Sequence, residues 1–117
     1  MCLKTFWGRV TALQIRECEL KARPLDFDFI LSDFSRVTRL DFGLEDLEGL
    51  LRHYMRRPRA IVASRPNIYS CARMFEWLIK RSRRMLDLEV FQDLESARAW
   101  LESGPSPTRR GLHDAAG

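Results

Sequence analysis

No apolar run in this 117-residue chain reaches the roughly 18 residues that a membrane-spanning helix needs. The N-terminus, Met1-Cys-Leu-Lys-Thr-Phe-Trp-Gly-Arg9, lacks the long apolar stretch and small-residue cleavage site of a secretory signal. Cysteine is scarce, with only Cys2, Cys18 and Cys71, an odd number without metal-ligand spacing. That excludes a disulfide framework, and reduced thiols fit a cytoplasmic protein. The only histidines are His53 and His113. Nucleophile elbows, zinc-ligand spacings, phosphate loops and internal repeats are all missing, so no catalytic residue, metal ligand or cofactor is predicted and the expectation is not an enzyme.

What is present has the composition of a globular domain, 45% hydrophobic and 31% charged. Residues 1–103 read as one domain, long enough to bury about two-thirds of its unfolded surface. Residues 104–117 hold two prolines and no apolar face, and are expected to be a disordered tail. The net charge of +4 is unevenly spread: residues 49–84 carry ten Lys or Arg against the single acid Glu76. Residues 41–48 carry four acids and no base, and residues 85–102 carry five acids against Arg98.

Alternation and helical spacing divide the chain. Leu3 to Val10 suits a strand with a bend at Gly8. Thr11-Ala-Leu-Gln14 is a capping-box signature that opens a helix to Ala22, although Leu13 and Ile15 also alternate as in a strand. Phe27 to Phe34 is predicted as a buried strand, with a polar turn after Asp33. Gly43 to Arg57 is predicted as an amphipathic helix, acidic at its start and basic at its end, as the helix dipole favours. Ala60 to Ala63 is a short buried strand, and Asn67 is read as the N-cap of a helix to about Arg83. Leu86 to Phe91 alternates like an edge strand, and Asp93 caps a last helix. Strands alternating with helices imply an α/β fold, with a largely parallel sheet of four or five strands covered by about four helices.

The run Asp33-Phe-Ser-Arg-Val-Thr-Arg-Leu-Asp-Phe-Gly-Leu44 resembles the STAS pattern Asp-Leu-Ser-Gly-Val-x-x-Ile-Asp-Ser-Ser-Gly-Leu. Arg59-Ala-Ile-Val-Ala-Ser64, Tyr69-Ser-Cys-Ala-Arg-Met-Phe-Glu76 and Val90-Phe-Gln-Asp-Leu-Glu-Ser-Ala-Arg-Ala-Trp-Leu101 are similar to later blocks of the SpoIIAA-like branch. The likeness spans Gly8 to Leu101 and rests mostly on core positions. It implies a small STAS-like domain that works by binding, as a regulator or adaptor. In phosphorylatable STAS domains the acceptor is the second Ser of Asp-Ser-Ser-Gly. Asp41-Phe-Gly-Leu44 has no hydroxyl, so that switch does not carry over. The family also has more strand before its first helix than Leu3 to Val10 supplies. SpoIIAA-like proteins are likened to lipid-transfer domains too, which makes a carrier of a small apolar ligand the alternative.

In open α/β sheets, ligands bind beyond the C-terminal strand ends. The candidate pocket residues there are Asp33, Ser35, Ser64, Asn67, Tyr69 and Asp93, although turn and capping chemistry accounts for the same residue types. The bases Arg52, Arg56, Arg57, Arg59, Lys80, Arg81, Arg83 and Arg84 end two helices. They suit the macrodipoles, or an acidic partner; nucleic acid is disfavoured because no base-reading helix or aromatic RNA motif accompanies them. Trp77 lies about 180° from Ile68 at helical spacing, with Arg73 and Arg84 on its face. This outward Trp is expected to anchor a protein partner, most simply a homodimer.

Overall fold

A computed structural model describes residues 1–25, 27–43, 45, 46, 49, 50, 57–81 and 87–103. Four parallel strands form one sheet in sequential order: β1 (Cys2–Thr11), β2 (Ile30–Asp41), β3 (Arg59–Val62) and β4 (Leu88–Phe91). Three helices are bounded among the described residues: α1 (Ala12–Ala22), α2 (Pro66–Arg81) and α3 (Leu94–Glu102). That is fewer than the four or so expected. The helix predicted over Gly43 to Arg57 falls largely outside the described residues, within which Glu45, Asp46, Gly49 and Leu50 are helical. The predicted tail lies outside them as well.

Right-handed crossovers taken repeatedly in one direction put every intervening helix on the same face of the sheet. Ile15 of α1, Leu50, and Ile68 and Ala72 of α2 accordingly share one core with Phe6, Val10, Phe34 and Val37 of the sheet. We call this the inner face. The outer face is covered by α3, whose Ala97 and Leu101 pack on Leu31, Ala60 and Val62. Ile30 and Leu31 are fully buried, each worth roughly 1.5–3 kcal/mol of transfer free energy.

Local signals set several boundaries. The Thr11 hydroxyl accepts from the Gln14 N–H while the Gln14 side chain accepts from the Thr11 N–H, completing the capping box of α1. Helix rather than strand therefore wins between Thr11 and Ala22. Asp93 caps α3 as predicted, accepting from the Ser96 N–H at 2.7 Å. Asn67 does not cap α2, because that helix already begins at Pro66, a residue pre-organised for the first helical position.

The largest difference from the sequence reading is β2. It does not end at Asp33 but continues to Asp41. Opposite β1, the register slips between Thr5 and Trp7 and again between Gly8 and Arg9, each slip inserting one residue into β2. Each insertion is a bulge, and it turns the usual two-residue repeat into three. Phe34, Val37 and Leu40 therefore all face inward although they are three apart. Asp33 supports the first bulge, its Oδ1 accepting from the Ser35 N–H at 2.9 Å. Gly8 sits at the second with φ +66°, a left-handed conformation that glycine adopts without a Cβ penalty.

Candidate functional site

Beyond residue Val62, where β3 ends, β1 and β2 run on as a two-stranded ribbon. Its inner face is apolar: the Phe6 and Phe34 rings lie 4.7 Å apart, and Phe42 stacks on Phe75 of α2 at 5.4 Å. Its outer face is exposed and carries Trp7, Arg9, Arg36 and Arg39, with Asp41 paired to Arg9 and Arg39.

The six predicted pocket residues occupy different settings. Asp33 and Ser35 form the bulge within β2 rather than a strand end. Ser64 and Asn67 are exposed around the start of α2, and Tyr69 is half-buried one turn into it. Asp93 is spent on its cap. Its carboxyl is held below the usual range by the hydrogen bonds from the Ser96 backbone and hydroxyl. None of the six lines the cavities described next.

Between the sheet and the inner helices lies an apolar cavity of about 30 Å³, bounded by residues including Ile15, Phe34, Phe42, Ile61, Ala72 and Phe75. A neighbouring cavity of about 20 Å³ shares Ile15, Phe34 and Ile61 and ends on charged side chains. There Glu19 of α1 pairs with Lys4 of β1, and at 2.6 Å with Arg59 of β3. All three are at most 5% exposed. Burying charges is costly unless they are paired, and the shared carboxylate pairs both cations while one net positive charge remains. Sequence reading missed this triad and placed Arg59 in a surface cluster. The available signal was a charge on an apolar position: Lys4 alternates with Phe6, and Glu19 follows Ile15 by four.

Other members of the predicted basic cluster are also engaged internally. Lys80 reaches Glu89 at 3.1 Å, and Arg81 lies 5.0 Å from the centre of the Trp77 ring. Arg52, Arg56, Arg83 and Arg84 lie outside the described residues. Glu76 is buried in α2, accepting from Arg73 at 2.7 Å and from the Val90 N–H at 3.0 Å. Desolvation pushes its carboxyl up, against the opposing pull of Lys80 and Arg73. Burial likewise raises the Cys18 thiol, which makes its thiolate scarce.

Trp77 faces outward as its helical phase predicts, 55% exposed, with Met74 beside it at 49%. Arg73 binds Glu76, and the cation stacked on the Trp ring is Arg81. Among the described residues no group of three or more His, Cys, Asp or Glu could hold a metal ion, and no helix is long and apolar enough to cross a membrane. No family model matches the chain, and no curated protein or solved structure matches it.

Proposed function

We propose that this chain is a non-enzymatic binding domain of STAS-like type, acting as a regulator or adaptor without the phosphoryl switch. The exposed Trp77 carries the reading. A large aromatic with Arg81 stacked on it and Met74 alongside leaves apolar surface uncovered. Such aromatic and Arg groupings are typical anchors of protein contacts. The carrier alternative has less to work with. An apolar cavity of about 30 Å³ is small beside the engineered void of about 150 Å³ that admits benzene. Gly43, at the position that matches the STAS acceptor, offers no hydroxyl for phosphorylation.

The test is affinity purification from the native host with tagged wild type and Trp77→Ala in parallel, followed by mass spectrometry for proteins and co-purifying small molecules. The reading expects a protein held by the wild type and lost from the variant, while circular dichroism stays native. Identical captures by both would remove Trp77 as the anchor. A stoichiometric apolar molecule extracted from both would favour the carrier.

A further inference from the structure

The sheet has two edges that differ in one respect. At the β4 edge, the N–H of Val90 is taken by the buried Glu76 carboxylate, and the adjacent Glu89 is tied back to Lys80. A side chain bonded to an edge N–H removes a donor that an incoming strand would need. The β1 edge carries no strand among the described residues. Cys2 gives its N–H to Phe29 on the β2 side at 2.7 Å. By strand alternation Lys4 also turns its backbone groups to β2, and Leu3, Thr5 and Trp7 turn theirs outward. The exposed side chains from Met1 to Trp7 beside that open edge are apolar or neutral. Trp7, Met1 and Leu3 are 69%, 56% and 54% exposed.

We infer that the β1 edge is a self-association surface, on which a second copy of this chain pairs its own β1 antiparallel about a two-fold axis through Thr5. The segment is self-complementary in that register. Thr5 faces Thr5 of the other copy, Leu3 faces Trp7 and Trp7 faces Leu3. Thr–Thr and aromatic–aliphatic pairs are favourable cross-strand neighbours. No like-charged side chains meet, because Lys4 falls opposite Phe6 and Arg9 opposite Met1. Outward groups at three alternate positions give a short ladder, ended at Gly8 by its positive φ. A two-fold contact uses the same patch on both copies and closes, and the Glu76-occupied β4 edge does not extend it. This contact is independent of Trp77 and stands or falls separately from the adaptor reading.

Sedimentation velocity of the full chain over a concentration series tests it. Wild type should sediment as a dimer. Thr5→Lys places two lysines face to face and should weaken the dimer by about tenfold or more, with native circular dichroism. Thr5→Pro removes the central outward N–H, at an edge position where proline is tolerated, and should do the same. Trp77→Ala should sediment like wild type. A monomeric wild type at high concentration overturns the inference. So does a dimer that survives both Thr5 substitutions, and so does one that only Trp77→Ala dissociates.

Discussion

Glu19 holds two buried cations. Its carboxylate faces Lys4 and Arg59 under α1, at 1% exposure. Replacing one partner of a buried ion pair costs far more than the pair contributes, roughly 3–5 kcal/mol, because the remaining charge stays buried. Glu19→Gln is therefore expected to cost about 3–5 kcal/mol in urea denaturation, and a loss below about 1 kcal/mol would show that water reaches the triad. Glu76 behaves differently. Its carboxyl is raised by desolvation above the ordinary 4.5, so the folded state holds that proton more tightly than the unfolded one. The ionised form then opposes folding above its folded-state pKa, and the penalty fades as the pH falls through that value to below 4.5. Thermal melts of wild type and Glu76→Gln should show the wild type gaining on the variant as the pH falls from neutral; a wild type that loses ground to the variant would reverse the sign. Neither acid was legible in the sequence, because a charged residue on an apolar stripe reads as an interruption rather than as a buried partner.

The elements that were legible had local causes. α1 and α3 are fixed by Thr11 and Asp93, whose side chains satisfy N–H groups that the helix itself cannot. Thr11→Ala is expected to cost about 1 kcal/mol, read as a lower midpoint in denaturant with an unchanged slope. An equally stable variant would mean that packing of Ile15 alone fixes the helix start. β2 was legible only to Asp33, since its continuation depends on a neighbour. Phe34, Val37 and Leu40 are three apart, and that spacing suits a strand only when β1 supplies the register slips that absorb the extra residues. A bulge is a relation between two strands, so one strand's periodicity cannot announce it. Asp33 was misplaced for the same reason: it lies within β2 and not at that strand's end.

At the scale of the molecule, the alternation of strands and helices was enough for a parallel α/β sheet. Strand order and the faces that the helices cover required the three-dimensional arrangement. Three connections lie on the inner face, leaving the outer face of β2, β3 and β4 to α3 alone. This division has a temporal meaning during synthesis. The ribosome releases all four strands and the inner helices before Leu94 to Glu102 emerges from the exit tunnel. Until then the nascent chain displays Leu31, Ala60 and Val62 to water as a bare apolar sheet. The nine residues of α3 therefore act as the seal of that face. A premature stop after Gln92 would produce a polypeptide that retains every strand and still clumps, a client for chaperones and not a usable half-protein.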